Sequence, residues 1–247
     1  MLDELIVVPA RYKSSRLPGK PLIDLAGRPM ILRTVDRCLE AVEDREKVVV
    51  ATDDERIAEV CASEGIRYEM TSPDHPTGTD RVAEVAARIE AETYLNIQGD
   101  EPVFDPQDIR ALIEASREDR AHPIVGYAPI TDERQFTDTK FPKVLFNQHG
   151  ELLYIGRAAV PGSHTGEFVF GYRQVCGHAF PGSALQTFAS TGGRRTRLEA
   201  AEDHEMLRFL DLGVRVRVLQ LTDHSVAVDR ESDVPRAVAA LEARGLT

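Results

Sequence analysis

The chain has 247 residues, with 30 Lys and Arg against 41 Asp and Glu, a formal net charge of −11 and 42% hydrophobic residues. It is long enough to bury a substantial core without metals or disulfides, and its acidity argues against non-specific nucleic-acid binding, which needs positive surface to displace phosphate counterions. No apolar run approaches the ~20 residues that span a bilayer, and Leu5–Val8, preceded by acids, is too short for a secretion signal. A cytoplasmic protein with neither nucleic acid nor membrane as partner is expected. Cys38, Cys61 and Cys176 are scattered without metal-ligand spacing and read as small buried apolar groups.

In chain order, Leu5–Val8 is a fully apolar run, as in a strand buried on both faces. Met30–Ala41 places Ile31, Leu32, Val35, Cys38 and Leu39 at helical spacing. Lys47–Ala51 is a second β-branched run, followed by the capping cluster Thr52-Asp53-Asp54, a helix over Glu55–Ser63 and a stop at Gly65. Arg67–Met70 reads as a third strand, Thr79–Ala91 as a helix, Thr93–Ile97 as a fourth strand and Asp105–Ala115 as a helix. The second half predicts strands at Ile124–Pro129, Lys143–Asn147, Leu152–Ile155 and Phe168–Ala179. A helix follows over Leu198–Leu212, stopped by Gly213, then a strand at Val214–Leu219 and a last helix over Asp233–Ala243. This βαβα order predicts an α/β fold, a single-domain, three-layer αβα arrangement around a mostly parallel sheet with an elaborated C-terminal part. In such sheets ligands sit beyond the carboxyl ends of the strands, so the loops Pro9–Lys20 and Gln98–Pro102 should open on one crevice.

The first of these loops gathers Arg11, Lys13, Arg16 and Lys20 within ten residues of an acidic chain. A triphosphate carries about four negative charges, which Arg grips bidentately and Lys meets as a point charge. Pro18-Gly19 allows a tight turn that brings backbone N–H groups towards phosphate oxygens; a solvated basic loop is the alternative. The pattern is neither GxxxxGK[ST] nor GxGxxG, which removes support for P-loop and dinucleotide-binding readings. Gln98-Gly99-Asp100-Glu101-Pro102 puts a carboxylate at a strand tip, suited either to Mg²⁺ bridging phosphates or to a structural turn. Asp229, after Ser225–Val228, is a second carboxylate or a cap for the last helix. Asp74-His75-Pro76-Thr77-Gly78-Thr79-Asp80-Arg81 opens a helix with exposed backbone groups that can read a base edge, or with simple N-capping by Thr77 or Thr79.

Together these motifs resemble the 3-deoxy-manno-octulosonate (Kdo) cytidylyltransferase family, whose P-A-R-x-x-S-x-R-L-P-G-K-P-L run corresponds to Pro9–Leu22. Ala51-Thr52-Asp53, Asp74–Arg81, Asn96–Pro102, Lys143-Val144, Gly156–Pro161 and Val228-Asp229 follow in the family's order. The resemblance implies a nucleotide-diphospho-sugar transferase-like fold and transfer of CMP from CTP to the anomeric hydroxyl of an acidic sugar, releasing pyrophosphate. It implies that Pro9, Ala10, Arg11, Ser15, Arg16 and Lys20 hold the triphosphate, and that Asp74, His75, Thr77, Gly78 and Arg81 frame the cytosine. It also implies that Asp100 and Asp229 carry Mg²⁺, with Lys20, Arg16 and Asp100 as the catalytic residues. Gln98, Arg157, Gln174, His178 and Glu205 are the implied acceptor contacts. Residues 1–106 would form the nucleotide- and metal-binding half, and residues 107–247 the acceptor-binding half and the contact of a homodimer.

The chain departs from the family at the acceptor positions. Where the family has a His-x-Gly-x-Tyr-like run, this chain has Gln174 at the His and His178 at the Tyr. The family segment Leu-Glu-x-x-Glu-x-Leu-Glu-Gln-Leu-Arg is Leu198–Arg208 here, with Glu205 kept and Met206 in place of Gln. The Gly-Val-Asp-Thr-Pro run near the second metal acid is Ala227-Val228-Asp229-Arg230-Glu231. The expected acceptor is Kdo or a related 2-keto-3-deoxy sugar acid, and the departures favour an acid other than Kdo itself. A non-sugar acid such as a phosphonate, or a catalytically silent nucleotide-binding protein, is the alternative.

Overall fold

Strand β1 (Leu2–Ala10) buries side chains on both faces, Leu5 and Val7 towards one apolar cluster and Ile6 and Val8 towards another. That double burial is what a central strand with helices on each side requires. The computed structural model describes residues 1–14, 17–222 and 224–247. After β1 come a small hairpin, β2 (Asp24–Leu25) and β3 (Arg28–Pro29), and helix α1 (Met30–Val42). The pattern continues with β4 (Val48–Thr52), α2 (Glu55–Ser63), β5 (Tyr68–Met70), α3 (Gly78–Ala86), β6 (Ala91–Ile97) and α4 (Pro106–Glu118). The second half holds β7 (Ile124–Pro129), α5 (Glu133–Thr137), β8 (Lys143–Phe146), β9 (Leu152–Gly156) and β10 (Tyr172–Pro181). It ends with α6 (Gly182–Ala189), α7 (Arg197–Glu202), α8 (Met206–Asp211), β11 (Arg217–Gln220) and α9 (Val234–Ala243).

Among the described residues, nine strands form the main sheet, in the order β11-β7-β10-β6-β1-β4-β5, with β8 and β9 attached through β10. β1 pairs in parallel with both β4 and β6, while β10 runs antiparallel to β6 and β7. One face is covered by apolar residues of α1, α2 and α4, including Ile31, Val35, Ile57, Ile109 and Leu112. The other face is covered by Val82, Val85, Leu185, Phe188, Leu207 and Phe209 from α3, α6 and α8. The result is the three-layer αβα arrangement with a mostly parallel sheet. No described helix is long and apolar enough to cross a membrane.

Several element boundaries differ from the pattern reading. The helix expected over Thr79–Ala91 ends at Ala86, because Ala91 already pairs with Leu2 at the start of β6. Residues 168–171 precede β10 rather than belonging to it. The single helix expected over Leu198–Leu212 is two, broken at Asp203, which takes a left-handed conformation at φ 53. Helix α6 and the short α5 carry no strong pattern and were not anticipated.

Candidate active site

The carboxyl ends of β1 and β6 lie side by side, and their loops are tied together. Gly99 donates its N–H to the Pro9 carbonyl at 3.3 Å, and Thr34 of α1 donates to the Gly99 carbonyl at 3.2 Å. A Cβ on Gly99 would sit 2.9 Å from the Pro9 carbonyl oxygen, so glycine is what allows this approach. The loop after β1 turns back on itself, with the Tyr12 carbonyl accepting from Ser14 N–H at 3.0 Å and Gly19 N–H at 3.1 Å. Gly19, at φ 71, makes the reversal that delivers Lys20 to the strand ends. A third segment arrives from the far end of the chain: Val228 donates its N–H to the Asp100 carbonyl at 3.0 Å, which sets Asp229 beside Asp100.

Lys20 Nζ lies 2.5 Å from Asp100 Oδ2 and 3.5 Å from Asp229 Oδ1. Burial pulls the ammonium towards neutrality, but the two carboxylates outweigh it and hold Lys20 above its ordinary value. The ammonium marks a point that both carboxylates face, and their oxygen-only donor set suits a hard divalent cation. Among the described residues no group of three or more His, Cys, Asp and Glu forms a metal cluster, so such a cation would complete its shell with phosphate and water. Glu101 stands behind this pair, accepting from the Ser225 hydroxyl, and burial followed by the charge of Asp100 pushes its carboxyl up to about 7.

These groups open on a cleft of about 500 Å³. One wall is Pro9, Ala10, Arg11, Lys20 and the start of α3, where His75, Thr77, Gly78 and Arg81 border the space. Thr77 caps α3, its hydroxyl accepting from Asp80 N–H at 3.3 Å. Arg81 is buried and committed, donating to Asp53 at 2.9 Å, Thr71 at 2.6 Å and the Ser72 carbonyl at 3.1 Å. Asp53 also accepts from Tyr12 N–H at 3.4 Å, which fastens the basic loop to the base-side helix. Asp74 is exposed and lies outside the cleft lining. Ser15 and Arg16 lie outside the described residues.

A further part of the wall carries Gln98, Arg157, Gln174 and Glu205, with Glu205 set against the start of α3. Arg157 is anchored to the carbonyls of Glu202 and Thr139, both at 3.0 Å. Glu205 accepts from the Thr79 hydroxyl, and its burial raises its carboxyl above the ordinary value. His178 is fully buried and does not reach the cleft; it stands behind Gln174, 2.8 Å away, rather than beside an acceptor. Beneath this wall Arg208 is buried between Asp80 at 2.7 Å and Glu199 at 2.6 Å, joining α3 to α7 and α8. The sequence reading missed Lys140, Arg195 and His204, which also line the cleft. Lys140 and Arg195 sit in turn-rich stretches with no pattern to single them out, whereas the missed signal for His204 was a polar ring amid an amphipathic helix.

The cleft thus brings Arg11, Lys20, Asp100 and Asp229 together at the carboxyl ends of parallel strands. The Cytidylyltransferase family profile matches residues 5–188. The chain is 39% identical to the 3-deoxy-manno-octulosonate cytidylyltransferase of Syntrophotalea carbinolica, covering 97% of this chain and 98% of that protein. It is 35% identical to the Escherichia coli enzyme of the same name, over 93% and 92% of the two chains. A solved structure of CMP:2-keto-3-deoxy-manno-octonic acid synthetase complexed with CTP superposes with a TM-score of 0.89, at 33% identity over 98% of this chain and 99% of that one. The chain belongs to the 3-deoxy-manno-octulosonate cytidylyltransferase family, and it is a cytidylyltransferase.

Proposed function

We propose that the protein transfers CMP from CTP to Kdo or a related 2-keto-3-deoxy sugar acid, releasing pyrophosphate. The observation that carries this reading is the convergence of Lys20, Asp100 and Asp229 on one point at the joined ends of β1 and β6. The similar structure that was solved with CTP supports the choice of nucleotide.

In this reading Arg11, Lys20 and the backbone of Pro9-Ala10 hold the triphosphate, with Ser15 and Arg16 from the same loop. His75, Thr77, Gly78 and the region anchored by Arg81 frame the cytosine. Asp100 and Asp229 would hold Mg²⁺, which supplies Lewis-acid polarisation of the phosphate and charge neutralisation. Lys20 leaves its two carboxylate partners for the phosphate oxygens, where its charge stabilises the in-line displacement at the α-phosphorus. Gln98, Arg157, Gln174 and Glu205 position the acceptor so that its anomeric hydroxyl faces that phosphorus. Residues 1–106 supply most of the donor wall and residues 107–247 most of the acceptor wall, with Asp229 crossing between them. The working form is a cytoplasmic homodimer.

The test is pyrophosphate release from CTP with Mg²⁺ and Kdo, compared with UTP, ATP and GTP and with chelator added. Turnover confined to CTP, Mg²⁺ and a sugar acid is expected; no release with any sugar acid would overturn the reading.

A further inference from the structure

Behind the acceptor wall, three side chains that are polar or titratable are buried in one line. His204 Nε2 lies 2.7 Å from Gln174 Oε1, and Gln174 Nε2 lies 2.8 Å from His178 Nε2. At the near end Met206 donates its backbone N–H to His204 Nδ1 at 3.3 Å. A backbone N–H is only ever a donor, so it fixes the sense of every bond that follows. His204 Nδ1 accepts, which puts the proton of that neutral ring on Nε2. Gln174 Oε1 accepts it, which turns the amide so that Nε2–H points at His178. His178 Nε2 accepts in turn and carries its own proton on Nδ1.

A second observation fits this assignment. His178 Nδ1 and Asn96 Oδ1 are both buried without a hydrogen-bond partner among the described residues, and their residues are direct partners across the β10–β6 ladder. The order of bonds leaves a donor on the first atom, opposite an acceptor on the second. Burial keeps both rings neutral, holding His178 down at about 4 and His204 at about 3.

We propose that His204 is a positioning residue for acceptor recognition: it fixes the Gln174 amide so that its second Nε2–H faces the cleft and donates to an acceptor oxygen. Gln174 spends Oε1 on His204 and one N–H on His178, so that second N–H is the group it presents to the cleft it lines. A glutamine without these partners can turn its amide over and offer a carbonyl oxygen instead, which repels an acceptor-only carboxylate oxygen of a sugar acid. The break between α7 and α8 at Asp203 is what allows the His204 ring to turn inwards. His178 supports the same amide from the other side. This inference rests on the reading that this half of the cleft takes the acceptor.

Two measurements separate the relay from that reading. The full-length protein labelled with ¹⁵N-histidine is expected to show two neutral rings of opposite tautomer, His204 protonated at Nε2 and His178 at Nδ1. His204→Leu keeps the volume but removes the donor; it is expected to raise the KM for Kdo about tenfold, with kcat and the KM for CTP within about twofold. His204→Gln can donate from the same ε position and is expected to return the Kdo KM to within about threefold of wild type. An unchanged Kdo KM in His204→Leu, a parallel loss of CTP affinity and kcat, or a His204 ring protonated at Nδ1 would overturn the proposal. If wild-type protein turns over no Kdo, the acceptor reading fails, and the relay is still decided by the imidazole spectra.

Discussion

Lys20 and Asp100 meet at 2.5 Å across eighty positions of sequence, with Asp229 completing the contact from the other end of the chain. The ammonium therefore occupies the charge-neutralising position that a divalent cation and a triphosphate would share between them. Lys20→Met should be inactive yet respond more strongly to the metal, because Asp100 and Asp229 then face each other without a countercharge. Thermal unfolding with and without millimolar MgCl2 should show a metal-induced rise about 2–4 °C larger in the variant than in wild type. Equal rises in the two proteins would argue against a shared cation point.

Asp100→Asn should lower kcat by about a thousandfold while leaving the unfolding midpoint close to wild type, since it removes charge at a strand end and little packing. Asp229→Asn should act in the same direction. Steady-state pyrophosphate release with saturating CTP reads the effect, and activity within about threefold of wild type would remove these carboxylates from the chemistry.

Gly99→Ala places a methyl 2.9 Å from the Pro9 carbonyl oxygen and 3.1 Å from Ile31 Cδ1. The loops must separate, so stability should fall by about 1–3 kcal/mol and kcat by at least about tenfold. Urea unfolding together with a kinetic assay checks both. Unchanged values would show that the approach of the two strand ends is not required.

Arg208→Met leaves Asp80 and Glu199 buried without their guanidinium, and it also ends the stacking of Arg208 over the Phe188 ring at 3.9 Å. The expected loss is about 3–5 kcal/mol of unfolding free energy. A loss below about 1 kcal/mol in a urea titration would mean that the carboxylates find protons or water instead.

Two buried groups of opposite sense act on stability in acid: the histidines lower it, while Glu101, raised to about 7, takes up its proton in the folded state first and opposes them. An unfolded histidine binds its proton near 6.5, but buried His178 resists until about 4 and His204 until about 3. Between those values the unfolded chain holds more protons on these two rings, so their contribution to stability drops as pH falls from about 7 towards 4 and is complete above 7. The interval from 6.5 to about 4 corresponds to about 3 kcal/mol for His178. Relative to wild type, His178→Gln/His204→Gln should lose less stability, or gain more, between pH 7.5 and pH 5; equal slopes would contradict the buried neutral rings.

The Lys20 side of the cleft was readable because its residues are close in sequence and their chemistry is concentrated. Four cations in one loop after an apolar strand, and a Gly-Asp pair after another, pointed to neighbouring strand ends, and β1 and β6 do pair directly. The part around Gln174 and His204 was not readable in the same way. The period of Leu198–Leu212 is helical throughout, so nothing local marks Asp203 as the break; its left-handed turn is held by tertiary contacts, among them Arg195 at 2.7 Å. Nothing local shows that His204, Gln174 and His178 form one chain of bonds, with Gln174 at the cleft and His178 behind it.

The hydrogen bond from Val228 to the Asp100 carbonyl has a meaning for how the protein comes into being. Synthesis runs from the N-terminus, and every strand of the parallel block β5, β4, β1 and β6 has been made by residue 97. The second carboxylate arrives only with the segment that Val228 pins in place, 132 positions later, at Asp229. A chain clipped before Val226 would keep the basic loop and Asp100 but lose their partner, so competence is the last property the growing polypeptide acquires.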